Sequence, residues 1–419
     1  MKFFKWLYPG IGIKRWIFLC ALGLGFNVVV ALLTVQTMAK TSVILASVAT
    51  ALLILGIFLI YTSIKNMVRI FVRALMPLNG DSSLVDIVYQ KRQVESLLHG
   101  PRVVAIGGGT GLSTMLSGIK AFTSNITAIV TVTDTGGSSG RLRDEMDMLP
   151  PGDIRNCLVA LADAGPLIRD LFQYRFELGE GLKGHSFGNL FITALSMVTG
   201  DFENAIAESS KVLAIRGRVL PSTLEKVTLL GEFMDGTSAE GETNITDLKK
   251  PLRSIRLRPD DCKACQEALD AIEIADLVIM GPGSLYTSIL PNLLIPEIRE
   301  AVLRSDAYKV FIMNAMTQPG ETTGMSAWDH LNVILEHTDR RIVDACFVNT
   351  AVIPPAMLQR YAKQGAMPVK LDIEKIREKG YQVIQGDVLQ PGEQVRHDSE
   401  LLMKLVLEHY REHINQEKE

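Results

Sequence analysis

Two stretches near the start of the chain carry no charge at all, Trp16–Val35 with 20 residues and Val43–Ile64 with 22. Each is long enough to cross about 30 Å of hydrocarbon as a helix. The short linker Gln36–Ser42 separates them, which predicts an antiparallel hairpin. Asn27 interrupts the first stretch, and the partner helix is expected to satisfy it across the interface. A secretory signal peptide would have a shorter apolar core, about 7–15 residues, with no second span directly behind it. Lys2, Lys5, Lys14 and Arg15 precede the first stretch, and Lys65, Arg69 and Arg73 follow the second, while the linker holds only Lys40. The positive-inside rule then places both termini and the main domain in the cytoplasm. Residues 1–65 are expected to form a two-pass anchor in the cell membrane, touching lipid through residues 16–64. Residues 66–100 read as a juxtamembrane linker, with a turn at Pro77–Asp81 and a short helix over Leu84–Leu98.

From Arg102 onward the pattern alternates between short β-branched runs and helical spacing. Strands are expected at Arg102–Ile106, Ile126–Thr133, Leu277–Met280, Val310–Met313, Ile342–Val348 and Val383–Ile384. Helices are expected at Leu112–Phe122, Ala264–Ile274, Ala327–Glu336, Pro355–Lys363 and Glu400–His413. That alternation predicts an α/β domain over 101–413, a Rossmann-like, mostly parallel sheet with helices on both faces. A polar tail, 414–419, follows it. Residues 217–257 break the pattern: Val219–Leu220, Val227–Leu230 and Arg253–Leu257 surround the glycine-rich stretch Met234–Glu242, which predicts an antiparallel lobe.

Composition narrows the function. The 419 residues hold 43 Lys+Arg against 46 Asp+Glu, a net charge of −3, so nothing favours a dedicated nucleic-acid binder. Hydrophobic residues at 47% exclude disorder. Five scattered cysteines make no disulfide framework, and Cys262-x-x-Cys265 lacks the second pair that zinc needs. Seven histidines with no H-E-x-x-H motif speak against a zinc hydrolase.

Most of the unusual clusters follow a strand, the place where open α/β sheets bind ligands. Gly107-Gly108-Gly109-Thr110-Gly111 ends one strand and opens a helix, and more glycine than a turn requires suggests backbone amides laid against a phosphate. Its spacing matches neither a P-loop nor the dinucleotide fingerprint. Asp134 and the following Gly/Ser loop offer Ser138, Ser139 and the anion clamp Arg141, and Asp134 is placed to hold sugar hydroxyls. Asp153 reads equally as a helix N-cap, with Arg155 and Asn156 in the first turn. His185, with Asn189 behind it, could donate to phosphate, act as an acid or be a satisfied loop histidine. A third glycine turn carries Gly281, Gly283 and Ser284, and Asn314 and Gln318 are amides able to read polar edges. If the protein catalyses anything, Asp134, Asp153 and His185 are the candidate acids and bases.

Six motifs in order, GGGTGLST (from Gly107), TDTGGSSGRLR (from Thr133), LPPGDIRNCLVAL (from Leu149), GHSFGNL (from Gly184), GPGSLYTSILPNLL (from Gly281) and MTQPGETTG (from Met316), closely resemble the gluconeogenesis factor family. The likeness runs from about Arg102 to Tyr410 and leaves the N-terminal hairpin outside it. It implies a Rossmann-like fold, binding of UDP-sugars, notably UDP-N-acetylglucosamine, and a role in bacterial cell shape, wall morphogenesis and gluconeogenic growth. No established reaction and no required cofactor come with it. The family's sugar-nucleotide contacts fall on Tyr361 and Arg396, which unaided reading makes a helix-surface aromatic and a loop cation. The related 2-phospho-L-lactate transferases move a phospholactyl group from a guanosine diphosphate donor, with magnesium, onto a deazaflavin. Their second loop carries adjacent acids where this chain has Thr135-Gly136-Gly137-Ser138, which weakens a divalent-metal site, so no metal ligand is assigned.

The leading reading joins the anchor expected from the two uncharged stretches to the UDP-sugar binding that the resemblance implies: a membrane-tethered regulator that binds a UDP-sugar without turnover and signals to cell-wall synthesis proteins or a regulatory kinase. A homo-oligomer is compatible with it. The rival is a magnesium-dependent transferase using a nucleotide-diphosphate donor, and the glycine spacing disfavours an NAD-dependent oxidoreductase. Ser399, just before the last helix and near Arg396, is a candidate phosphorylation site.

Overall fold

A computed structural model describes residues 13–37, 43–75, 97–392 and 394–417. The chain divides into two compact units, Met1–Val94 and Glu95–Glu419. The expected turn at Pro77–Asp81 and most of the expected helix Leu84–Leu98 lie outside the described residues.

The first unit holds two helices, Ile13–Thr37 and Val43–Leu75. Their apolar windows, Arg15–Leu32 and Ala46–Arg69, have mean hydropathies of 1.9 and 2.2, long and apolar enough to cross a membrane. Only 11% and 17% of those windows is buried, whereas a helix inside a soluble core is covered on most sides. The two helices pack on each other where Gly23 meets Gly56, small residues that let the backbones touch. Asn27 reaches this interface and lies against Gly56, but its Oδ1 is buried with no hydrogen-bond partner, so the expected polar bond across the hairpin is not made.

The second unit is built on seven parallel strands: β1 (Val103–Gly107), β2 (Ile126–Val130), β3 (Arg218–Pro221), β7 (Leu277–Met280), β8 (Tyr308–Ile312), β9 (Ala345–Asn349) and β10 (Gln382–Gly386). Their order is β10-β9-β8-β7-β1-β2-β3. β1, β2, β7 and β8 are buried at every position, as parallel strands covered by helices on both faces must be. The chain builds outward from β1 through β2 to β3, then returns to lay β7 against the other edge of β1, pairing Ile106 with Met280. Strand order therefore reverses between β1 and β7, and a crevice opens beyond their carboxyl ends.

A second sheet, β5-β4-β6, is antiparallel: β4 (Thr228–Phe233), β5 (Ser238–Glu240) and β6 (Leu252–Arg258). The expected lobe is thus real but smaller, because Val219–Leu220 belongs to β3 at the edge of the main sheet. The glycine-rich stretch Met234–Glu242 holds the hairpin strand β5 and leads into the helix Glu242–Asp247. β2 stops at Val130, short of the expected Thr133, and Ile342 sits in a tight helical turn ahead of β9. The last helix spans Ser399–Glu417, so residues 414–417 continue it instead of forming a tail.

Candidate functional site

The first glycine loop turns from β1 into the helix Gly109–Ile119. A Cβ on Gly108 would stand 2.7 Å from Asp153 Oδ2, and one on Gly111 would stand 2.5 Å from Pro282 O. Much of the glycine density therefore serves close packing against a buried acid and against the β7 loop, with Gly109 taking a left-handed φ of 64°. Asp153 is not an N-cap. Pro151 holds that position, and the Asp153 carboxylate accepts the Gly109 amide instead. Burial first, then the nearby Asp134 charge, pushes the Asp153 pKa up to about 6.

The expected Gly/Ser loop is mostly helix, since Gly137–Met146 is helical and the loop shrinks to Asp134–Gly136. Asp134 Oδ1 accepts the Gly136 amide at 2.7 Å. Ser138 and Ser139 are buried in the first turn, and Ser138 Oγ meets His185 Nδ1 at 3.0 Å and accepts from Asn189 Nδ2 at 3.1 Å. Arg155 is buried too, donating to Ser186 Oγ, to Asn189 Oδ1 at 3.0 Å and to Asn156 Oδ1 at 2.7 Å. Arg141 donates to the Lys183 carbonyl at 2.9 Å, away from the crevice loops. Desolvation and the Arg141 charge hold His185 below its ordinary pKa, which favours the neutral ring.

Two acids that the sequence reading left unassigned join this interior. The antiparallel lobe delivers Glu242, whose carboxyl hydrogen-bonds to Asp134, while the neighbouring Thr243 N donates to Thr135 Oγ1 at 3.1 Å. Glu321 is buried, accepting from Tyr286 N at 3.3 Å and Thr287 Oγ1 at 3.2 Å. Burial pushes the Glu321 pKa up to about 7, and burial plus the Asp134 and Asp153 charges raises that of Glu242. No motif could have signalled Glu242, which lies more than a hundred residues from Asp134 in sequence. Asp134 and Asp153 accept from backbone amides and Glu321 from an amide and a hydroxyl, while Glu242 is hydrogen-bonded to Asp134. Among the described residues no group of three or more His, Cys, Asp or Glu is arranged to hold a metal ion. Cys262 and Cys265 are buried free thiols, raised to about 11 by burial.

In front of the loops lies a cavity of about 330 Å³, walled by Thr110, Gly111, Asn314, Gln318, Tyr361 and Arg396 together with Pro282, Met316 and Ser399. Asn314 clasps Gly283, accepting its amide at 3.2 Å and donating to its carbonyl at 2.7 Å, and Gln318 donates to Ser284 Oγ at 2.6 Å. The two amides thus lock the β7 loop to the β8 loop as well as facing the cavity. Tyr361 Oη accepts the Val395 amide at 3.0 Å, which fixes the segment bearing Arg396. His397 is buried just behind, bonded to Met313 O at 3.1 Å and Asn349 Nδ2 at 3.0 Å. Burial lowers its pKa, so a neutral ring donates from Nε2 and accepts at Nδ1. A second, more open cavity of about 630 Å³ adjoins the first and shares Thr110, Thr114 and Arg396 with it, adding Arg155 and Asn156. The remaining predicted residues, Gly107, Gly108, Gly109, Asp134, Ser138, Ser139, Arg141, His185, Asn189, Gly281, Gly283 and Ser284, line neither cavity, and nor does Asp153.

This arrangement can be set beside known proteins. A family profile described as 2-phospho-L-lactate transferase CofD matches residues 103–389. The gluconeogenesis factor of Bacillus subtilis is 46% identical over 309 residues, 74% of this chain and 98% of its own length. The chain belongs to the gluconeogenesis factor family. A family member of Clostridium acetobutylicum, provisionally named as such, is 41% identical over 421 residues, covering 97% of this chain and 92% of its own, so that match takes in the N-terminal region as well. A crystal structure of a Bacillus halodurans protein has the same fold, with a TM-score of 0.72 and 48% identity over 74% of this chain and 99% of its own.

Proposed function

We propose that this gluconeogenesis factor is a membrane-anchored, cytoplasm-facing regulator that binds a UDP-sugar, UDP-N-acetylglucosamine or a close relative, and does so without turning it over. The observation that carries the reading is the cavity at the β1/β7 switch point. There the amide-rich start of the helix Gly109–Ile119, Tyr361 and Arg396 converge from residues far apart in sequence. The helix start favours a pyrophosphate through its free amides and its dipole. Arg396 offers a fork of donors at the mouth, and Tyr361 an aromatic wall for a base. The two exposed apolar helices support the anchor, and the cation distribution around them supports a cytoplasmic domain. The relatives' name supports a regulatory role in carbon use.

Arg396→Ala should weaken UDP-N-acetylglucosamine binding by about 1.5–3 kcal/mol in calorimetry, the worth of a charge-assisted hydrogen bond. Unchanged affinity would remove Arg396 from the site. One observation favours a second reading, a magnesium-dependent transferase: the family profile is described by such an enzyme, and raised carboxylates lie just behind the glycine loops. Their commitment to neighbouring amides and hydroxyls leaves that reading second.

A further inference from the structure

The second cavity has a charge balance the first lacks. Lys120, Arg155, Arg169 and Arg396 line it, against one acid, the exposed Asp170. Lys120 donates to Ala162 O at 2.9 Å and lies 3.9 Å from Asp163, whose carboxylate is already paired with Arg216 at 2.8 Å. Burial lowers the Lys120 pKa, and the Arg216 and Arg169 charges push it the same way against the pull of Asp163. A cavity that gathers four cations against one exposed acid carries positive potential. Among the described residues neither Arg169 nor Arg396 has an ion-pair partner. Arg155 spends its terminal donors on neutral oxygens and keeps its buried Nε without a partner.

The two cavities are continuous along Thr110, Thr114 and Arg396. The first, at about 330 Å³ and largely apolar, sits at the small end for a ligand pocket and suits a nucleoside. A diphosphate at the shared wall would then send the sugar into the second, roomier cavity.

We propose that the second cavity receives the sugar, and that the preferred ligand is a UDP-sugar bearing a carboxylate on that sugar, held by Arg169 and Lys120. The proposal rests on the UDP-sugar reading above. A neutral sugar can occupy the same space through its hydroxyls, but it leaves Arg169 without an anion and Lys120 with only its shared 3.9 Å contact to Asp163, whereas a carboxylate takes Arg169 by its fork and Lys120 as a point charge.

The test is calorimetry of the full chain in detergent with three probes: UDP-N-acetylglucosamine, UDP-N-acetylmuramic acid and UDP-glucuronic acid. The last two carry the acid on a side arm and on the ring, so they report which placement the cavity accepts. At least one acidic sugar should bind about tenfold or more tighter than the neutral one, the scale of a single charge-assisted contact. Arg169→Gln and Lys120→Gln should each erode that preference, lowering the acidic sugar's affinity by a larger factor than the neutral one's. Equal affinities, a preference for the neutral sugar, or a preference that survives both substitutions would overturn this proposal and leave the parent reading standing. Failure of all three probes to bind would overturn both.

Discussion

Glu321 shows how the interior behind the loops is tuned. Its carboxyl is buried and holds its proton up to about 7, whereas an unfolded chain releases it near the ordinary glutamate value of 4.5. The folded form therefore binds more protons between those values, and stability falls as pH rises through them. The loss is on the order of 3 kcal/mol. Glu321→Gln removes this group's titration, so its melting temperature relative to the parent should rise from pH 4 to pH 8. A difference that stays flat with pH would show that Glu321 has the same pKa in the folded and unfolded chains. Residue by residue, the motifs revealed which positions were unusual but not why. Gly108 and Gly111 look like phosphate cradles in sequence, and the structure gives them packing partners in Asp153 and Pro282. Ser138 and His185 look like ligand donors, yet they bond inward, because buried hydroxyls and amides at a helix start satisfy one another first.

The elements themselves were mostly legible, since fully buried parallel strands read as uninterrupted β-branched runs and the helices between them keep a 3.6-residue spacing. The edge strand β3 was not, because four residues between a helix and a hairpin carry too little periodicity to separate parallel from antiparallel pairing. What sequence could not show is how one helix seats another. Gly118 faces the start of the last helix so closely that an added Cβ would lie 2.4 Å from the Ser399 backbone. Gly118→Ala should push that helix outward and cost about 1–3 kcal/mol in denaturant unfolding. Ser399 and Leu402 wall the cavity, so nucleotide-sugar binding should weaken with it. Full affinity in a destabilised variant would separate the helix seat from the site. Ser399 Oγ also lies 3.5 Å from Ser117 Oγ, which puts the candidate modification site on the cavity wall.

At the scale of the whole molecule, the apolar hairpin and the α/β unit answer different questions. The hairpin was visible at once, because two uncharged stretches of spanning length are rare by chance. Full-length protein should stay with the membrane pellet through an alkaline carbonate wash, and a chain lacking residues 1–65 should not. Recovery of the intact protein in the soluble fraction would refute the anchor. The candidate site was legible as a set of strand-end loops, but the cavity in front of them is also walled by Tyr361 and Arg396, which no spacing rule selects and only the resemblance implied.

The central claim is that the switch-point cavity grips a UDP-sugar without consuming it. Its most direct test is a titration of the full chain with UDP-N-acetylglucosamine, with and without magnesium, followed by phosphorus NMR of the mixture. The account predicts saturable, magnesium-independent binding and an unaltered nucleotide sugar. Absence of binding, or magnesium-dependent cleavage of the diphosphate, would contradict it.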